Sequence, residues 1–90
     1  MDSPSRPDYA SAMQADHTLD ARGLLCPLPV LKLRKRLGAL GEGDVLELWS
    51  DDPAAVVDVP HFCAEAGQEL VAMDNRDGYV AFRVRKRARP

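Results

Sequence analysis

Apolar residues recur along this chain in two rhythms, one of about 3.6 residues and one of 2, and each marks a different kind of element. Val30, Leu33, Leu37 and Leu40 recur at helical spacing, with Lys32, Lys35 and Arg36 on the opposite face. The pattern predicts an amphipathic helix over 27–40. Gly38 falls inside it and weakens its last turn, and Gly41 supplies a stop ahead of the turn Glu42-Gly43-Asp44. A second helical face is formed by Val59, Phe62, Cys63 and Ala66 and closes at Gly67. Ahead of it, Asp52 can cap a turn that opens with Pro53. Pro60 is expected to break this region into a turn over 53–57 and a second start capped by Asp58.

The period-2 segments are strands. His17-Thr18-Leu19-Asp20 is a short one, closed by Arg22-Gly23. Val45 to Ser50 puts Leu46 and Leu48 on one face and Glu47 on the other. Residues 69–73 and 79–85 pair around the turn Asn75-Arg76-Asp77-Gly78. In the last strand Val80, Phe82 and Val84 alternate with Ala81, Arg83 and Arg85, as a sheet with one wet face requires. Residues 1–16 are rich in Ser, Pro, Ala and Asp without apolar period, and a disordered N-terminal tail is expected there. Residues 17–87 are expected to form a single domain. The order β-α-β-α-β-β predicts an α+β fold, a two-layer sandwich with a four-stranded mixed sheet. Right-handed crossovers put both helices on one face of it.

At 90 residues the chain can bury one modest core. No apolar run approaches the roughly 20 residues that span a membrane. The N-terminus lacks the basic start and apolar stretch of a secretory signal. A cytoplasmic protein without membrane attachment is therefore expected. The formal net charge of -2 argues against a dedicated nucleic-acid binder. Charge is nevertheless clustered, in Lys32 with Arg34, Lys35 and Arg36, in Arg83 to Arg89, and oppositely in Asp51-Asp52 and around Asp74 to Asp77. Such runs are either solvated faces or surfaces that recognise a charged partner. Cys26, Cys63, His17 and His61 formally suffice for a Cys2His2 zinc site, but no metal-ligand spacing joins them, and no metal or cofactor is expected.

Cys26 is the residue with chemistry to offer. It precedes Pro27, which disfavours helical dihedrals at the cysteine, so Cys26 is expected at or next to the helix N-cap. Pro27 and Pro29 are tolerated in a first turn, whose amides have no intrahelical partner to lose. They stiffen the approach and direct the side chain. A helix start carries partial positive charge and lowers a thiol pKa. Arg22, Pro27 and Pro29 are thus expected to favour the thiolate, with Leu28 and Val30 supplying N–H groups. Such a thiolate can attack a substrate, shuttle a disulfide, or receive and pass on sulfur. The first needs a base, and nothing fixes His17 near enough; the second needs a cysteine where Pro29 stands. Carrying sulfur needs only an exposed reactive cysteine and a docking surface. The rival reading, a buried structural cysteine, stays open on pattern alone. Cys63 shares the face of Val59, Phe62 and Ala66, which points to core packing; the alternative is a regulatory disulfide with Cys26.

The run Leu19-Asp20-Ala21-Arg22-Gly23-Leu24-Leu25-Cys26-Pro27-Leu28-Pro29 resembles the signature of the TusA/SirA family of small sulfur carriers, which have a Cys-Pro-x-Pro motif after a short first strand. Asp51-Asp52-Pro53 and Asp58-Val59-Pro60-His61-Phe62-Cys63 resemble the family's second helix region, and the likeness extends over about His17 to Lys86. It implies a fold similar to the C-terminal domain of translation initiation factor 3. It also implies that Cys26 accepts sulfane sulfur as a persulfide from a cysteine desulfurase. The sulfur then passes to a downstream sulfur-relay protein, in the best-known branch toward 2-thiolation of the tRNA wobble uridine. Other branches serve molybdenum-cofactor synthesis or sulfur oxidation. The TusA branch commonly has glutamate where this chain has Leu28, which leaves the branch open. Leu28, Leu31, Lys32 and Lys35 lie off the apolar stripe and are expected to form a docking patch beside Cys26. A monomer with no stable direct nucleic-acid binding is expected. The rivals are an RNA- or ribosome-binding module and a noncatalytic regulator of the same fold.

Overall fold

The computed structural model describes residues 15–87. Its elements run β1 (His17–Asp20), α1 (Leu28–Gly38), β2 (Val45–Ser50), α2 (Ala55–Ala66), β3 (Glu69–Arg76) and β4 (Tyr79–Arg85). The sheet order is β1-β2-β4-β3. β1 pairs parallel with β2, and β4 is antiparallel to both β2 and β3, so the sheet is mixed as expected. The two β-α-β crossovers enclose the core on one face. There Leu33 and Leu37 of α1 and Val59, Phe62 and Cys63 of α2 meet Leu19, Leu46, Leu48, Phe82 and Val84 of the sheet. Each large apolar side chain buried this way contributes about 1.5–3 kcal/mol.

Three boundaries differ from the sequence reading. α1 ends at Gly38, with Ala39 as its C-cap and Leu40 bonded back to Leu37 in a turn. Lys86 Nζ donates to the carbonyls of Leu37 and Leu40 at 2.6 and 3.2 Å and closes that end of the helix from β4's side. α2 is one continuous helix with Pro60 inside it, not a turn followed by a second start. Pro60 removes a single i→i−4 bond, and Ala55, Val59, Phe62 and Cys63, buried on both sides of it, hold the helix together. Asp52 does not cap a helix begun by Pro53; it accepts from Ala54 N–H at 3.2 Å, and the helix starts one residue later. The third difference is the hairpin. β3 runs on to Arg76, opposite Tyr79, leaving Asp77-Gly78 as a two-residue turn with Gly78 at φ 85.

The face of the sheet away from the helices is held by charge. Glu47, on the opposite face to Leu46 and Leu48 as expected, is buried there. It accepts from Trp49 Nε1 at 2.6 Å, from Arg83 Nε at 3.0 Å and from Arg76 Nη1 at 3.2 Å. Burial pushes its carboxyl pKa up, but the hydrogen bonds from Trp49 and Arg83 and the charges of Arg76 and Arg83 outweigh that and hold it below the usual range. Of the expected tail, residues 1–14 lie outside the described residues; Asp16 already bonds to β2, donating from its N–H to Val45 C=O at 2.8 Å.

Candidate functional site

Cys26 lies on the link between β1 and α1, one residue before Pro27, the N-cap of α1. The Cys26-Pro27 peptide bond is cis. Pro29 is in the first turn of α1 and buried, so the expected first-turn prolines are in place. The link itself is tied down from the start of α2. Asp51 Oδ1 accepts from Gly23 N–H at 3.0 Å, and Asp52 Oδ2 accepts from Cys26 N–H at 2.7 Å. Asp52 spends its other oxygen on Ala54 N–H, and Ser50 Oγ accepts from Asp52 N–H at 3.2 Å. These two aspartates, read in the sequence as a charge cluster, act as anchors for the backbone that presents Cys26.

Cys26 is exposed and Cys63 is buried, and neither is in a disulfide. Burial pushes the Cys63 thiol up to about 11, as suits a core residue. The Cys26 thiol is also pushed up, the reverse of the expected direction. The main cause is the Asp58 carboxylate, which favours the protonated thiol; partial desolvation and the charges of Asp58 and Asp52 add to it. The helix-start effect loses to carboxylates contributed from the α2 side. Its donors are also few, because Pro27 and Pro29 have no N–H and Leu28 N–H is spent on Leu25 C=O at 2.9 Å.

Arg22 does not reach Cys26 as a counter-charge. Its Nε and Nη2 each donate to the Asp20 carboxylate at 2.9 Å. Its guanidinium lies 4.9 Å from the Trp49 ring centre and 5.0 Å from that of Tyr79, on the open face of the sheet. His17, at the start of β1, faces Asp44 at 3.6 Å, and His61 faces Glu65 on α2 at 3.4 Å. Neither histidine is gathered to the thiol.

Leu28, Leu31, Lys32 and Lys35 are all exposed along α1, where the docking patch was expected. Sequence reasoning missed three further apolar side chains: Leu25 is 68% exposed, Val57 68% and Val56 40%. The Asp52 contact to Cys26 ties the segment that leads into α2, where Val56 and Val57 lie, to the link that carries Leu25. No local signal marks that juxtaposition, because it joins residues about thirty apart in sequence. The basic run in β4 is not a free patch: Arg83 pairs with Glu47 and Asp74, Arg85 with Glu69, and Lys86 caps α1.

An exposed cysteine on a tied link after a short first strand is the geometry that the Cys-Pro-x-Pro resemblance implies. The profile of the family described as Sulfurtransferase TusA matches residues 17–86, which include all four strands and both helices. The chain belongs to the TusA family. A Pseudomonas entomophila protein named Sulfur carrier protein TusA is 41% identical over 73 residues, spanning 81% of this chain and 91% of that protein. The crystal structure of a SirA-like protein from Desulfitobacterium hafniense matches with a TM-score of 0.70 at 25% identity, covering 80% of this chain and 99% of that one. The TusA/SirA resemblance and the α+β fold expected from the sequence are thereby shown. Among the described residues no helix is long and apolar enough to cross a membrane.

Proposed function

We propose that the chain is a sulfur carrier whose Cys26 accepts sulfane sulfur as a persulfide from a cysteine desulfurase and relays it to an acceptor protein, toward 2-thiouridine in tRNA. The observation that supports this most is Cys26 itself: exposed, tied by Asp52 and set between exposed apolar residues, in a chain of the TusA family.

The transfer needs no cofactor. The Cys26 thiolate attacks the outer sulfur of the donor persulfide, a new S–S bond forms on Cys26, and the donor cysteine leaves as a thiolate. The second transfer reverses the roles: an acceptor thiolate attacks the outer sulfur and Cys26 leaves. No net oxidation occurs in either step. Leu28, Leu31, Lys32 and Lys35 are the docking strip in this reading, extended by Leu25 and Val57. The carrier acts as a monomer in the cytoplasm, where reducing conditions keep Cys26 and Cys63 as free thiols. Pairing of Arg83 and Arg85 within the sheet supports a carrier without stable nucleic-acid contact.

Intact-mass analysis after incubation with a desulfurase, its cofactor and cysteine tests the proposal. A gain of one sulfur atom that is absent from Cys26→Ser is the expected result. No gain in the native chain, or an equal gain in Cys26→Ser, refutes it.

A further inference from the structure

We infer that Asp52 and Asp58 make sulfur transfer at Cys26 selective by charge, withholding the sulfur from anionic small thiols and leaving it to protein acceptors that dock. The inference rests on Cys26 as the carrier site and adds what governs its discharge.

Two carboxylates are directed at Cys26 itself. Asp52 Oδ2 accepts from its N–H at 2.7 Å, and Asp58 is the carboxylate that most favours its protonated thiol. Asp51 adds a third carboxylate on the same link, on Gly23 N–H. No ion pair among the described residues neutralises any of the three. Arg22, the nearest cation in sequence, is occupied by Asp20 and stacked near Trp49 and Tyr79, and feels Asp51 only weakly. Lys32 and Lys35 stand exposed on α1 and make no ion pair with these carboxylates. Asp58 lies in the first turn of α2. The sulfur therefore sits in a local negative field at neutral pH.

That field acts on any nucleophile that approaches from solvent. An anionic thiolate carrying a further negative group is repelled, while one carrying an ammonium group is drawn in. Two carboxylates within several ångströms give a spread of about tenfold in rate between such thiols at low salt. A docked protein offsets the repulsion with contacts to Leu25, Leu28, Leu31 and Val57 that a small thiol cannot make.

The test uses the full chain with Cys26 loaded chemically as its mixed disulfide with thionitrobenzoate. A thiolate attacks the Cys26 sulfur, a new S–S bond forms, the old one breaks, and coloured thionitrobenzoate is released. Cysteamine, 2-mercaptoethanol and 2-mercaptoethanesulfonate are compared as rates per thiolate. The expected order is cationic over neutral over anionic. The spread should narrow to about twofold in 1 M salt, where screening acts within about 3 Å. It should also shrink in Asp58→Asn and in Asp52→Asn. Equal rates at low salt, or a spread that survives both salt and the two substitutions, overturn the inference. If a variant fails to fold, the salt dependence of the unmodified chain decides. The same thiols are then applied to Cys26 loaded by the desulfurase. Failure of that loading refutes the carrier reading alone, because the mixed disulfide still reports the charge selectivity.

Discussion

The backbone N–H of Cys26 donates to Asp52 Oδ2 at 2.7 Å, and this bond joins the start of α1 to the start of α2 across 26 residues of chain. Asp52 uses its second carboxylate oxygen on Ala54 N–H, so one side chain orders both the link that carries the cysteine and the entry to the second helix. Asp52→Ala leaves both donors without that acceptor. Urea unfolding should show a loss of about 1–3 kcal/mol. Sulfur loading of the folded fraction should also slow, because the cysteine backbone is no longer held.

The pH dependence of Cys26 follows from its neighbours. Asp58 and Asp52 favour the protonated thiol, so the rate of iodoacetamide alkylation should rise with pH through a midpoint above that of an ordinary cysteine. Asp58→Asn removes the larger cause, and the midpoint should move down. An unchanged midpoint in that variant would show that Asp58 does not act on the thiol.

Cys63 gives a separate alkaline signature. Its thiol is raised from 9.0 to about 11 by burial, so the folded state retains a proton that the unfolded state has lost in that window. Stability is full below the unfolded value and falls as pH rises from about 9 to about 11. Cys63→Ala should remove that component of the stability profile, at a cost of about 1 kcal/mol for the lost packing. Unfolding curves recorded across this range check both statements.

Glu47 stabilises the open face. Its folded-state pKa is depressed, so its contribution is present above the unfolded value and is lost as pH falls through the folded one. Glu47→Ala leaves Arg76 and Arg83 with only the longer contacts to Asp74 as a shared partner and should cost about 3 kcal/mol. Urea titrations at neutral and acid pH should show the difference between the two chains narrowing in acid.

Docking can be separated from chemistry. Leu31→Glu and Lys35→Glu alter exposed positions of α1 and should leave the unfolding midpoint nearly unchanged. Each is expected to weaken binding to the desulfurase by about tenfold. Unchanged affinity in both, measured by titration calorimetry, would remove α1 from the docking surface.

The local rules of helix and strand were legible because they act between neighbours. The spacing of Leu33 and Leu37 predicts the buried face of α1, and the alternation of Phe82 and Val84 with Arg83 predicts the two faces of β4. Leu46 and Leu48 turn to the helices and Glu47 away from them, also as the alternation requires. Pro60 was misleading for a physical reason. A proline's local penalty reads as a break, but the buried contacts on both sides of it exceed the loss of one hydrogen bond. For Glu47 alternation assigns the face, while its burial depends on Trp49, Arg76 and Arg83.

By itself, the sequence determined the element order, the α+β class, the position of Cys26 before a proline-rich helix start, and the motif that marks the family. Only the tertiary structure decided what surrounds the sulfur. Arg22 was expected to favour a thiolate, yet its planar guanidinium is held by Asp20 and by the faces of Trp49 and Tyr79. Asp52 and Asp58, distant in sequence, arrive instead when α2 packs beside α1 and bring negative charge to the cysteine. Helix and strand periodicity are set by covalent neighbours, whereas the field at a side chain is a sum over everything that folding brings within a few ångströms.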